Sequence, residues 1–249
     1  MSLERVSVIL READKRGYAV AAFNVFNYES ISWVIEAAEE EDMPVIVMLY
    51  SACAGFIPRT AFVALAKDMA NRAKIPVGLH LDHSRSFEEV MAGIRDGFTS
   101  VMIDGSMLPF EDNVRLTGEI VKVAHAMDVD VEAELGFVGH ASNLGDYTDS
   151  ARYTDSAAAV EFVERTGVDS LAIAIGNAHG NYVAMPNLDL KRLEEINRLT
   201  DVPLVLHGGT GIPDEQIKAA VKLGINKLNI GTELNQVFIQ RIRETVSEN

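Results

Sequence analysis

Short apolar runs alternate along this chain with longer segments whose apolar positions recur every three to four residues. Eight runs read as strands: VAAFNV (20–25), VIVMLY (45–50), VGLHLD (77–82), SVMID (100–104), VDVEAEL (129–135), SLAIAIG (170–176), PLVLHG (203–208) and KLNIGT (227–232). Most are continuously apolar, as expected of parallel strands covered by helices. Between them, 30–41, 86–96, 111–126, 155–165, 188–199 and 214–223 carry one apolar and one charged face at helical spacing. Ser86 followed by Glu88 and Glu89, and the pair Pro213-Asp214, mark helix starts. Asp96-Gly97-Phe98, Thr166-Gly167-Val168 and Leu223-Gly224-Ile225 place a glycine where a helix gives way to the next strand. Eight such units in 249 residues predict a closed (β/α)8 TIM barrel forming one domain over 1–249. A doubly wound open sheet is disfavoured, because no G-x-G-x-x-G follows the first strand. The longest irregular stretch, 136–154, follows the fifth strand, and a loop of that length in a compact domain marks a functional or mobile segment.

The barrel prediction tells where to look for chemistry, since such folds work at the C-terminal ends of their strands. There the third strand ends in Asp82-His83, the fourth in Asp104, and the fifth carries Glu132 and Glu134. The sixth is followed by Asn177 and His179, the seventh ends in His207, and the eighth carries Asn229. Taken singly, each histidine is most simply hydrogen-bonded or exposed; three at matching strand ends form a catalytic zinc pattern with an open fourth position. Glu132 and Glu134 share a face because strand side chains alternate, and an inward-facing pair requires a metal or a partner. His80 reads as structural and His125 as a surface residue; His140, in the long loop, is open between substrate contact and solvent. Two glycine-rich turns, Gly208-Gly209-Thr210-Gly211 after strand seven and Asn229-Ile230-Gly231-Thr232 after strand eight, suit a phosphate, which backbone N–H groups and a helix N-terminus stabilise.

Charge and composition narrow the partners. With 37 acidic against 22 basic residues and no basic run, the surface predicts no binding to nucleic acid or to anionic membrane. A single cysteine, Cys53, no signal-peptide pattern and no membrane-length apolar stretch predict a soluble, cytoplasmic protein.

The motifs HLDH (80–83), VEAELG (131–136), GNAHG (176–180), LHGGTG (206–211) and NIGTEL (229–234), with FNV at 23–25, occur in this order. In them the chain resembles the class II, metal-dependent fructose- or tagatose-bisphosphate aldolases over nearly its whole length. The resemblance implies a zinc-dependent lyase that reversibly cleaves a phosphorylated ketose to dihydroxyacetone phosphate and an aldehyde. It implies His83, His179 and His207 as ligands of a catalytic Zn2+ and Asp82 as the group exchanging a proton with the oxygen of the aldehyde half. Asp104 and Glu134 match positions for a second or displaced cation, divalent or monovalent. Asn24, Gly180, Gly208, Gly209, Thr210 and the turn Asn229, Ile230, Gly231, Thr232 would hold the dihydroxyacetone-phosphate half, with Asn229 also steadying the enediolate. The implied partners are a small sugar phosphate and further copies of the chain, in a homodimer or homotetramer.

Two departures from the family pattern limit this carry-over. A family glutamate eight residues beyond Glu134 handles the carbon-bound proton; here that position is Ser142, and no Glu occurs between Glu134 and Glu161. Either Asp146 or Asp149 substitutes by moving with the loop, or the loop aligns differently with the family, and the identity of the carbon base stays open. A C-terminal family segment, which in some members carries an arginine for a neighbouring subunit's second phosphate, is absent from 1–249. Arg85 and Arg152 are then candidates for the variable end of the substrate. These departures leave an aldolase for an extended or acidic ketose 1-phosphate open beside one for a bisphosphate. A non-catalytic barrel partner subunit is the alternative from another class; three converging imidazoles beside Asp82 argue against it. A Schiff-base mechanism is disfavoured, because Lys227, the one strand lysine, reads as beginning its strand at the wrong end.

Overall fold

A computed structural model describes residues 2–247. Eight parallel strands pair in sequence order and close into a barrel: β1 Val20–Asn24, β2 Val45–Tyr50, β3 Val77–Ser84, β4 Ser100–Ile103, β5 Asp130–Leu135, β6 Ser170–Ile173, β7 Leu204–Leu206 and β8 Ile225–Ile230. β8 returns to β1 with Ala22 opposite Asn229. After the eight strands come α2 Tyr28–Glu40, α3 Arg59–Arg72, α4 Phe87–Asp96, α5 Phe110–Ala126, α7 Ser156–Thr166, α8 Leu190–Leu199, α9 Asp214–Lys222 and α10 Thr232–Ser247. A further helix, α1 Val6–Arg16, precedes β1, and a short one, α6 Leu144–Thr148, interrupts the long loop after β5.

Local chemistry accounts for the helix limits. The Ser86 hydroxyl accepts from the Glu89 amide at 3.2 Å and starts α4, and Asp155 caps α7 in the same way. Gly97 and Gly167 end these helices in the left-handed region, where a residue without Cβ is unstrained. α1 and α3 are additions to the sequence reading.

The alternation of strand side chains sorts the core into two shells. Outward residues such as Leu79, Leu81, Val101, Val131 and Leu171 are fully buried against the helices. Inward residues Val20, Ala22, Ile46 and Met48 pack with Val6, Ile9, Leu10 and Ala13 of α1, which therefore covers the N-terminal end of the barrel. A Cβ at Gly78 would stand 2.9 Å from Val6 Cγ2, so the plug fits only where β3 has no side chain. Arg5 and the Ser7 amide anchor α1 to Asp130 at the start of β5. With that end filled, the opposite mouth is left for the site.

β8 begins at Ile225, two residues before the sequence reading placed it. Lys227 is thus an interior residue of the strand, fully buried, rather than its first residue. Among the described residues no helix is long and apolar enough to cross a membrane.

Candidate active site

The mouth of the barrel opens into a cavity of about 760 Å3 that contains His83, His179, Asp82, Asp104 and the glycine turns on its walls. At its floor three ring nitrogens form a triangle. His83 Nε2 and His179 Nε2 are 3.2 Å apart, His179 Nε2 and His207 Nδ1 3.3 Å, and His207 Nδ1 and His83 Nε2 3.0 Å. Three such nitrogens cannot satisfy one another by hydrogen bonding, because each needs a proton that its neighbour also faces. The edges match the separation of about 3.3 Å expected for nitrogens about 2.05 Å from a tetrahedral zinc. The donor set and spacing therefore fit a divalent ion of the zinc type.

Each imidazole is aimed by a different device. Simple alternation along β3 would send Asp82 and His83 to opposite faces. The backbone at His83 instead turns into the left-handed region (φ 54°), the register with β4 shifts between Leu81 and Ser84, and both side chains reach the mouth. The Ser51 hydroxyl donates to the His83 carbonyl at 2.6 Å and fixes this turn. His83 Nδ1 faces Asp104 at 3.5 Å, leaving Nε2 toward the triangle. His207 Nε2–H donates to Glu132 at 3.0 Å, leaving Nδ1 toward it. A carboxylate behind a ligand histidine fixes tautomer and ring orientation in this way. His179 is set by its loop: its amide donates to the Gly139 carbonyl at 2.8 Å, and its carbonyl accepts from Ala141 at 2.9 Å.

The electrostatics match a site built around a positive charge. Burial, with the charges of His83 and His207, holds His179 down at about 3, so its lone pair is free. Burial also lowers His207. Burial opposes a charge on His83 too, but Asp82, Asp104 and Glu134 outweigh it and raise the ring to about 9. Burial disfavours an ionised Asp82, yet His83, His207 and Lys227 overcome this and hold it at about 2. Its oxygens are fixed by two amides, Asn24 Nδ2 at 2.8 Å and Asn229 Nδ2 at 3.3 Å. Burial and the Asp104 charge push Glu134 up to about 8, and its Oε2 has no hydrogen-bond partner among the described residues. Asp104, Glu134 and His83 form a second group able to hold a cation.

Beneath this floor, Lys227 Nζ lies 2.7 Å from Glu132 Oε2, with both side chains fully buried. β5 therefore turns both of its glutamates inward. Glu132 is paired, while Glu134 reaches the upper level. His80, on the floor below, bonds Ser100 Oγ at 2.7 Å, in keeping with the structural reading of that residue. His125 is a surface residue paired with Asp169 at 2.8 Å.

The glycine turns lie beside the triangle. Gly208 is left-handed (φ 66°), and a Cβ there would sit 2.0 Å from the Ala178 carbonyl oxygen. Gly180, Gly208, Thr210, Asn229, Gly231 and Thr232 all line the cavity, with Thr232 opening α10. Gly209 and Ile230 lie behind them, outside the lining. The Thr210 hydroxyl accepts from the Glu233 amide at 3.2 Å and joins the two turns. Tyr182, which the sequence reading missed, ties the His179 loop to the Gly208 turn. Its hydroxyl accepts from Ala178 at 2.8 Å and donates to the Gly208 carbonyl at 3.2 Å. No motif or spacing marks that role.

Asp146 is buried and accepts from the His140 amide, Asn143 and Arg152, so it pins the loop. Neither Asp146 nor Asp149 lines the cavity, whereas His140 does.

A closed parallel barrel with a buried tri-imidazole cluster and a carboxylate beside it at the mouth is the arrangement of an enzyme. The chain belongs to the class II fructose-bisphosphate aldolase family, whose pattern matches residues 4–249. It is 44% identical over 255 residues to a fructose-bisphosphate aldolase of Geobacillus stearothermophilus, covering all of this chain and 87% of that protein. Among solved structures it is similar to the YdjI aldolase of Escherichia coli K12, with a TM-score of 0.90, 40% identity and coverage of 99% and 88% of the two chains. A putative fructose-1,6-bisphosphate aldolase of Coccidioides immitis matches with a TM-score of 0.87 at 33% identity, over 96% and 85% of the two chains. The protein is thus an aldolase, a carbon–carbon lyase of a metal-dependent family.

Proposed function

We propose that this aldolase cleaves a ketose bisphosphate, or an extended or acidic ketose 1-phosphate, reversibly to dihydroxyacetone phosphate and an aldehyde, using Zn2+ held by His83, His179 and His207. The observation that carries the reading is the imidazole triangle in the same cavity as Asp82 and the glycine turns. A divalent ion there would supply a Lewis acid that polarises the ketose carbonyl and spreads the charge developing on its oxygen. Asp82, held ionised and immobile between Asn24 and Asn229, accepts the proton from the hydroxyl of the carbon that becomes the aldehyde, and returns it in the condensation direction. Gly180, Gly208, Thr210, Asn229, Gly231 and Thr232, on the cavity wall, bind the phosphate with backbone amides and the N-terminus of α10, while Gly209 and Ile230 shape the turns behind them. Asp104 and Glu134, with His83, are the candidate holders of a second cation. His140 is the titratable side chain of loop 136–154 on the cavity wall and stands nearest to the role of the missing glutamate.

Two measurements test this together: metal content, expected at about one divalent ion per chain, and release of triose phosphate from ketose phosphates. His179→Ala should lose both. Full activity after exhaustive chelation would refute the metal-dependent reading.

A further inference from the structure

The dihydroxyacetone half of the proposed substrate has its anion site, but the aldehyde half has no obvious one. Two arginines competed for it on sequence grounds, and the structure separates them. Arg152 donates to Asp146 at 3.1 Å, lies over the Phe137 ring at 4.9 Å from its centroid, and does not line the cavity. Its charge is committed to the loop. Arg85 lies two residues beyond His83 and lines the cavity, where it is the one lysine or arginine among the described lining residues. Its amide donates to Glu89 at 2.8 Å, which fixes the backbone. Its guanidinium has no hydrogen bond, ion pair or ring contact among the described residues.

Arg11, Arg198 and Arg243 are likewise exposed and unpaired among the described residues, but they lie on helices outside the cavity lining, and Arg85 is the unpaired one on its wall. Arg59, Arg72, Arg165 and Arg192 all pair with carboxylates. The uncharged part of the cavity lining includes Tyr50, Cys53, Met107, Leu108 and Phe137. The carboxylates in the cavity, Asp82 and Asp104, are taken up by Asn24, Asn229, His83 and Ser106. A distal anion entering an acidic protein needs a cation, and the planar fork of a guanidinium suits a phosphate or carboxylate.

We propose that Arg85 is the specificity-determining residue for the distal end of the substrate, selecting an aldehyde half that carries a terminal phosphate or carboxylate. The inference rests on the cleavage reading above. Phosphate and carboxylate are two forms of one requirement, and the test tells them apart.

The test compares three substrates of equal chain length: a ketose 1-phosphate with a neutral end, one ending in a carboxylate, and a ketose 1,6-bisphosphate. Wild type, Arg85→Ala and Arg85→Lys are assayed for kcat/KM. Binding of the corresponding hexitol esters, which have no carbonyl and cannot be cleaved, is measured by calorimetry. Arg85→Ala should lower kcat/KM for at least one anion-ended substrate at least about 10-fold more than for the neutral one, the size of a lost charge-assisted hydrogen bond. Arg85→Lys should recover part of that selectivity. The anionic end that suffers most is the one Arg85 reads. The hexitol esters should show the same difference in Kd. Equal factors for charged and neutral ends, or no binding of any ester by wild type, overturns the assignment. If wild type cleaves nothing but Arg85→Ala loses affinity only for anion-ended esters, Arg85 stands and the lyase reading falls. If cleavage proceeds with selectivity unmoved, the reverse holds.

Discussion

Lys227 and Glu132 give the sharpest test of the barrel interior. Lys227→Met keeps the length and most of the volume of the side chain but removes the charge 2.7 Å from Glu132, in a layer where both residues are fully buried. Glu132 keeps His207 Nε2 at 3.0 Å and Ser170 Oγ at 3.3 Å, so its hydrogen bonds survive and its charge balance does not. Removing one partner of a buried pair costs about 3–5 kcal/mol, whereas replacing both with neutral groups is often close to neutral. In a domain of this size each kcal/mol moves Tm by about 2–4 °C, so Lys227→Met should melt about 6–20 °C lower. The Lys227→Met/Glu132→Gln double variant should recover more than half of that loss. The measurement is urea and thermal unfolding of chelated protein, because a bound ion would add its own stabilisation. A cost below about 1 kcal/mol for Lys227→Met, or additive costs in the double variant, would refute the view that this pair is stabilising only as a pair.

Other outcomes follow from single contacts. Chelation should lower Tm by about 5–11 °C, from the ~2.7 kcal/mol that a ligand at 100-fold its Kd contributes, and Zn2+ should restore it in wild type but not in His179→Ala. Gly208→Ala forces a Cβ to 2.0 Å from the Ala178 carbonyl at a φ of 66°; it should raise the KM for the sugar phosphate at least about 10-fold by displacing the turn, and an unchanged KM would remove Gly208 from the cradle. Asp146→Ala frees the His140 amide, Asn143 and Arg152 together. It should speed proteolysis within loop 136–154 before it affects metal content, and equal cleavage rates in the two proteins would show that the loop is held by other contacts.

The barrel was legible because its two signals are local: apolar runs of strand length and glycine stops before them. The convergence of the three histidines was legible for a less direct reason. Strand alternation alone would have paired Asp82 inward with His83 outward, and only the left-handed backbone at His83 brings both into the mouth. That turn depends on Ser51 reaching across from the loop after β2, a contact between residues 32 apart in sequence. The facing of Glu132 and Glu134 was illegible for a related reason. In a barrel both faces of a strand are buried, so a period of two names two faces without choosing one. The choice is made by Lys227, 95 residues away, which itself looked unpromising because β8 starts two residues earlier than its apolar pattern suggested. Tyr182 and Asp146 were missed as loop anchors because hydroxyl and carboxylate bonds to backbone leave no spacing signal.

The interior layers connect stability to the site. Above the apolar plug from α1 lies the Lys227–Glu132 layer, and above that the imidazoles. The middle layer does two things at once. Lys227 keeps Glu132 charged, its carboxyl lying well below the usual carboxylate range against burial, and charged Glu132 keeps the His207 proton on Nε2 so that Nδ1 faces the triangle. The double variant Lys227→Met/Glu132→Gln separates these effects. Its folding free energy should approach that of wild type, since no uncompensated charge remains. Its zinc affinity should still fall about 10- to 100-fold, because a neutral amide behind His207 no longer supports the ligand as a carboxylate does. Competition with a chromophoric chelator reads that affinity without any turnover assay. Restored stability together with wild-type zinc affinity would mean that the Gly208 turn and the Asn177 bond to the His207 carbonyl, at 3.1 Å, orient the ring by themselves.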